Sequence, residues 1–598
     1  MRAGWKTAVT LLSCLLSSAL VGAAEQASAP TPAWVARSNA DAEPLLSAIA
    51  KFHPEFASRV GVPGYDEKVV DMQPGVPTRE RTALEAARTA LQSKLALETD
   101  PNVRQDLEIM VKAASRRIES SRLDEQYLLP YEDIGEAIFQ GEFALLQDQV
   151  APERRAAARK RLQCYVGSAP GCTPLTQLAE ALFTAKSADT KLLGPYKAEV
   201  EQNLANGTRY VEGVRKLYAK YKIDDAGPAL DALQKQLEEH AAWVKATVLP
   251  RARTDFRLPP DLYANNLKDV GLDITPQELI KRAKVEFMET RAQMQTLAPI
   301  VAKAEGINAS DYRDVLKALK KQQLDATSIE PYYHDTIGKI EAIIREQALV
   351  SLPQREMIMR LASEAESASQ PAPHMQAPPM INNHGERGSF ILPLGNPPSG
   401  SGNSEVYDDF TCKACAWTLT SHEGRPGHEL QFSAMVEHGV SLARSLFARN
   451  SVNTEGWALY SEYMMLQFEP PAGQMIALQM RLQRAARAIL DPMLNLGLIT
   501  RERAHDVMID DVGLSEALTR EELDRFTFRM PGQATAYFYG YIRLLELRAH
   551  VELVQGKAFN LKALNDFIIG QGVLPPDQLA EAVDARFLDL PAIQKKTP

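Results

Sequence analysis

Residues 421–431 read SHEGRPGHELQ, with His422 and His428 six positions apart and Pro426 and Gly427 between them. Histidines four apart share one helix face, which is how the common zinc-peptidase signature aims two imidazoles at one ion. Six residues at about 100° each leave the second imidazole about 120° around the cylinder. A regular helix therefore cannot direct both rings at one metal. Pro426 offers the way out: it has no N–H to bond the carbonyl of His422, and its ring crowds that turn. Gly427 accepts almost any backbone angle. The stretch reads as a helix that breaks and resumes around Pro426 to His428, returning the second ring to the side of the first.

Zinc in a hydrolase takes three protein ligands and leaves one position for water. His422 and His428 are candidate ligands, and Glu423 is placed to accept the proton of the water that the metal acidifies. A third ligand is sought on a neighbouring helix. The segment SVNTEGWALYSE (451–462) has capping residue types followed by a helical period, and Glu455 and Glu462 are seven apart, on one face. Such a pair suits one ligand and one carboxylate that orients a histidine N–H. Two surface glutamates on a solvated face are the plainer alternative. Downstream, RMPGQATAYFYGYIRLLELR carries Tyr537, Tyr539 and Tyr541, which are oxyanion donors or core aromatics. His384, His438 and His505 are other imidazoles that residue type alone admits as ligands.

The chain opens with Arg2 and Lys6, an apolar run from Ala8 to Val21 and small residues at Ala23 and Ala24. That is the pattern of a secretory signal peptide over residues 1–24, and the run is shorter than the roughly 20 residues of a membrane span. Cleavage there takes the net charge from -9 to -11, with 65 basic against 76 acidic side chains. Without a basic stripe, nucleic acid is not expected as a partner. No stable membrane insertion is expected after cleavage, and the location is periplasmic or secreted. In an oxidising compartment the four remaining cysteines pair. Cys164 and Cys172 bracket a turn-rich loop, and Cys412 and Cys415 form CKAC, a local disulfide in preference to a redox pair or metal clamp.

Helical periodicity dominates the rest, so the fold class is mainly all-α. Asp100-Pro101 starts a helix with Leu107, Met110, Val111, Ala114 and Ile118 on one stripe. Thr275-Pro276-Gln277-Glu278 reads as a capping box before Leu279, Ala283 and Phe287. Further helices are expected over 82–94, 228–248, 475–490 and 536–554. The exception is 370–403, rich in proline, glycine and asparagine, where Phe390-Ile391-Leu392 predicts a short strand or hairpin near the metal site, with a simple linker as the alternative that composition equally allows. An exposed edge on that strand would accept an extended peptide.

HEGRPGHELQ, TEGWALYSEYM and PGQATAYFYG, with DITPQELIKRAKVEF upstream, resemble the large bacterial family known as domain of unknown function 885. That family is similar to all-helical peptidases of the angiotensin-converting-enzyme and oligopeptidase type. The resemblance implies two helical lobes around a deep channel, here 25–260 and 261–598, with a short strand beside the metal. It implies Zn2+ held by His422, His428 and Glu455, with Glu423 as general base and Tyr537 as oxyanion donor. The expected function is an exported zinc metallopeptidase that cuts short unfolded peptides. A non-catalytic peptide- or metal-binding protein on the same fold, or a zinc hydrolase of another amide or ester, are the alternatives.

Overall fold

Asp100 and Thr275 both cap helices. In this computed structural model, which describes residues 32–396, 405–448 and 450–589, the Asp100 carboxylate accepts from the backbone N–H groups of Asn102 (2.9 Å) and Val103 (3.4 Å). The signal-peptide segment lies outside the described residues. The first long helices are α1 (Ala33–Phe52), α2 (Val76–Leu95) and α3 (Pro101–Tyr127). On α3, Leu107, Met110 and Ala114 are buried as their spacing predicts, whereas Val111 and Ile118 are only half-buried. Helix α4 (Pro276–Glu305) begins on Thr275, whose hydroxyl accepts from the N–H of Glu278 at 3.2 Å. Only that half of the expected capping box forms, because the Glu278 carboxylate turns forward to Arg282 at 2.9 Å. Leu279, Ala283 and Phe287 face inward.

The C-terminal part holds α5 (Cys415–Glu423), α6 (His428–His438), α7 (Ser451–Met465), α8 (Pro471–Asn495) and α9 (Thr535–Gln555). Its helices are buried on most sides, polar residues included. The fold is mainly all-α. Both cysteine pairs, Cys164–Cys172 and Cys412–Cys415, are disulfides. No described helix is long and apolar enough to cross a membrane.

The expected strand forms, but in a different setting. Three strands, β1 (Ile358–Leu361), β2 (His374–Gln376) and β3 (Ser389–Leu392), make a sheet in the order β1-β3-β2. The Phe390 segment is thus the middle strand, parallel to β1 and antiparallel to β2, with all four residues buried. It has no free edge. The free edges belong to β1 and to the three-residue β2.

Apolar packing joins distant parts of the chain. One core combines Leu45, Leu84, Leu107 and Met110 with Leu430, Trp457, Val551 and Ile568, and so draws on both sides of residue 260. At its border the buried Asp106 accepts from Arg444 Nε at 2.7 Å and from Ser38 and Ser441 at 2.6 Å. A second core is built from residues between Phe287 and Ala534.

Helices α7 and α9 cross without side chains between them. A Cβ on Gly540 would lie 1.9 Å from the carbonyl oxygen of Val452, and one on Gly456 would lie 2.5 Å from the Gly540 carbonyl carbon. Both approaches are closer than any van der Waals contact, so glycine is required at each position. Glu455 and Tyr537 flank this crossing, and its closeness sets their separation. Gly540→Ala should therefore destabilise the fold by about 3 kcal/mol, the cost of forcing a methyl into a packed interior. Gly207→Ala, in a helix where a Cβ meets nothing within 4 Å, should be neutral or stabilising by up to about 1 kcal/mol. Denaturation midpoints of the two variants check the contrast.

Candidate metal centre

Helix α5 ends at Glu423 and α6 begins at His428, so the interruption covers residues 424–427. The N–H of Gly424 still bonds the carbonyl of Thr420 at 2.9 Å, and the N–H of Glu429 reaches back to the Gly424 carbonyl at 3.1 Å. Between them the Arg425–Pro426 peptide is cis. Gly427 has an ordinary negative φ. Its requirement is one of space: a Cβ there would sit 1.9 Å from the carbonyl oxygen of His422. The turn is held from three sides. The Arg425 guanidinium bonds Glu429 and Glu341 at 2.7 Å each and also the Arg355 carbonyl. The buried Trp457 indole N–H donates to the Pro426 carbonyl at 2.9 Å.

This turn returns His428 to His422. The ring centroids are 4.8 Å apart and the planes cross at 84°. From α7, Glu455 Oε2 comes to 3.3 Å from His428 Nε2 and 3.6 Å from His422 Nε2. Ligand atoms around a tetrahedral zinc, at bond lengths of about 2.0–2.2 Å, are separated by roughly 3.3–3.6 Å. The two distances match the edges of that tetrahedron. Glu455 Oε2 is buried without a hydrogen bond, as are Glu423 Oε2 and His428 Nδ1. A buried carboxylate oxygen with no partner, facing two imidazole nitrogens, fits a cation between them.

Glu423 also lies close, with Oε1 at 3.8 Å from His422 Nε2. Among the described residues, His422, Glu423 and His428 form the one group of three such side chains whose ligand atoms all lie within 4.8 Å of one another. Two carboxylates thus flank the imidazole pair. Glu455 fits the ligand distances better, and Glu423 is left beside the remaining position.

Glu462, one face-repeat from Glu455, accepts from His422 Nδ1 at 2.6 Å. It also accepts from Thr418 Oγ1 at 3.1 Å and pairs with Arg484 at 3.3 Å. Burial alone would raise the Glu462 carboxyl, but the Arg484 charge and the His422 bond outweigh it and hold the group below its usual range. An ionised Glu462 keeps the His422 proton on Nδ1 and leaves Nε2 facing the cation site. Burial also opposes ionisation of Glu455, and the two imidazoles beside it hold it well below the carboxylate range.

Of the three tyrosines, only Tyr537 reaches the site. Its ring lies nearly parallel to that of His422 at 6.3 Å, and its hydroxyl oxygen accepts from Arg525 Nη1 at 3.0 Å. The phenol O–H is therefore free to donate elsewhere. Burial, with the Glu455 charge added, pushes the phenol up and keeps it protonated. Tyr539 instead bonds Asp273, and Tyr541 packs in the core. His384 and His438 are exposed, and His505 pairs with Glu516, so none of the three joins the site.

A small cavity of about 50 Å³ opens between His422, Glu423, Tyr537 and the Ala372-Pro373 segment that leads into β2. On the other side, Gln533 donates to Glu455 Oε1 at 3.4 Å. Gln533 lines a cavity of about 400 Å³, which adjoins one of about 1120 Å³ at Asp124, Leu129, Tyr131 and Asp269. Gln533 therefore links Glu455 to the wall of the cavity of about 400 Å³. Arg425, Glu429, Gln533 and the arginines of α8 were not singled out by sequence reasoning. The three-residue spacing of Arg481, Arg484 and Arg487 in an alanine-rich helix was the available signal.

The fold and site define a mainly helical protein with a buried His-His-Glu cluster formed by an interrupted helix. The chain belongs to the bacterial protein family of unknown function DUF885, whose model matches residues 54–583. In fold it is similar to a protein from Colwellia psychrerythraea provisionally described as a lipoprotein, at 20% identity and a TM-score of 0.72, over 92% of this chain and 99% of that one. It is also similar to a protein of unknown function from Shewanella oneidensis, provisionally described likewise, at 19% identity and a TM-score of 0.67, over 92% and 100%. No curated protein matches the chain.

The geometry predicts one zinc per chain, retained through gel filtration after loading. Glu455→Ala and Gly427→Ala should both lose it, as elemental analysis would show. A Glu455→Ala variant that kept its zinc would transfer the third ligand to Glu423.

Proposed function

We propose that this protein is an exported zinc-dependent peptidase that hydrolyses short unfolded peptides. The observation that carries the reading is the convergence of two imidazoles and Glu455, whose Oε2 lies at ligand-to-ligand spacing from both Nε2 atoms, with Glu423, one oxygen of it unpartnered, beside them. A zinc ion held by His422, His428 and Glu455 would polarise the scissile carbonyl and acidify a water molecule.

The chain's own groups supply the rest. Glu423 takes a proton from the attacking water as the new C–O bond forms, and passes it to the amine as the C–N bond breaks. The Tyr537 hydroxyl donates to the developing oxyanion, and the cationic Arg525 behind it strengthens that donor. Glu462 keeps His422 in the tautomer and orientation that point Nε2 at the ion. The free edge of β2 offers backbone groups to an extended peptide, and peptide backbone is the ligand such an edge recognises. The buried site admits a chain that can thread to it and excludes folded proteins. Export is supported by the two disulfides and by the lipoprotein description of the two structural relatives. The finer location, periplasmic or secreted, follows from the signal-peptide pattern.

Glu423→Gln should bind zinc as the parent does and lose peptide hydrolysis by about three orders of magnitude or more, because the proton acceptor is gone. Tyr537→Phe should lower kcat by about 10²-fold with a smaller change in KM. A mixed peptide pool followed by mass spectrometry, with and without chelator, measures both. Near-normal turnover by Glu423→Gln would remove the base assignment.

A further inference from the structure

The cavity shared by Glu423 and Tyr537 has a cationic wall. Arg484 and Arg487 of α8 and Arg525 all line it. Two of the three are committed elsewhere. Arg487 forms a paired contact with Glu522, Nε to Oε2 at 2.5 Å and Nη2 to Oε1 at 2.6 Å, while its guanidinium covers the Tyr537 ring at 4.3 Å. Arg525 donates to Tyr537 and approaches Glu521 at 3.5 Å.

Arg484 is different. Its contacts are long, 3.3 Å from Nη2 to Glu462 and 3.3 Å from Nη1 to the Gln483 amide oxygen. Glu462 is already engaged by His422 and Thr418. Arg484 Nε is buried and has no hydrogen-bond partner, in a residue only 6% exposed. A buried guanidinium with an unused donor is costly unless an anion completes it. Guanidinium N–H pairs match a carboxylate in a planar two-point contact.

We infer that Arg484 receives the free C-terminal carboxylate of the substrate, so that the protein removes one or two residues from the C-terminus of a peptide. This deepens the peptidase reading and rests on it. The position of Arg484 agrees with this assignment. Through Glu462 and His422, the guanidinium lies within about 10 Å of an ion on His422 Nε2. Each extended residue spans about 3.3–3.6 Å, so one or two residues separate the scissile carbonyl from the anchored carboxylate.

The test uses the zinc-loaded full mature chain, with the dipeptide Gly-Phe and its C-terminal amide as calorimetric probes. The acid should bind about 10- to 100-fold more tightly than the amide. Arg484→Ala should bring the acid down to the level of the amide, and Arg484→Lys, which keeps the charge without the planar fork, should give an intermediate preference. Because the acid-to-amide ratio is taken within each variant, a general loosening through Glu462 leaves it unchanged. Equal binding of acid and amide, no binding of either, or a full preference retained in both variants would overturn the inference. A hexapeptide acid and its amide, followed by mass spectrometry, separate the two readings. Equal cleavage of both at internal bonds removes the C-terminal anchor and keeps the peptidase. Acid-selective binding without cleavage of any peptide keeps the carboxylate site and removes the peptidase.

Discussion

Everything at the centre depends on the contact between Gly427 and the carbonyl of His422. A hydrogen is the largest substituent that fits there, and only with that approach can the chain leave one helix, turn over four residues and start another with its first side chain back at the site. The approach is not self-supporting. Arg425, trapped between Glu341 and Glu429, and Trp457, which binds the Pro426 carbonyl, hold a backbone that no longer has its helical bonds. Arg425, Glu429 and Trp457 are buried and Glu341 is half-buried, so the turn is anchored in the core and not on a loop. A candidate metal site on rigid elements keeps its donor atoms within the few tenths of an ångström that a metal would demand.

Around the candidate ligands the charges are arranged in sequence, each serving the next. Arg484 keeps Glu462 ionised, Glu462 fixes His422, and His422 with His428 keeps Glu455 ionised. On the other wall Burial would protonate Glu522, yet Arg487 and Arg525 hold it below its normal range, and Arg525 in turn holds the Tyr537 oxygen. Such a network is expensive to bury and is stable only when its members are present together.

Much of this was legible in the sequence. The broken helix follows from Pro426 and Gly427 at a spacing that no regular helix can use, and the seven-residue separation of Glu455 and Glu462 places two carboxylates on one face, though a solvated face reads equally from that spacing. The long helices were visible because a 3.6-residue period repeats over many turns. What stayed hidden was tertiary in origin. Strand β2 is three residues between prolines, too short to show alternation, so the peptide edge was assigned to the Phe390 segment, which is in fact enclosed on both sides. Helical period alone does not choose Tyr537 over Tyr539 and Tyr541, which depends on the face of the last long helix that meets α7; only the family resemblance singled it out. The importance of Arg484 depends on a donor left unsatisfied, which is a property of packing.

The core that joins α1, α2 and α3 to residues beyond 430 has a bearing on biogenesis. As the chain emerges, its first three helices have apolar stripes whose covering surfaces, from Leu430 to Ile568, are among the last to be made. Asp106 likewise waits for Arg444, more than three hundred positions away in the chain. Closure of that compartment is therefore late, and a ribosome-bound or clipped fragment lacking the far segment carries a sticky face with nothing to cover it.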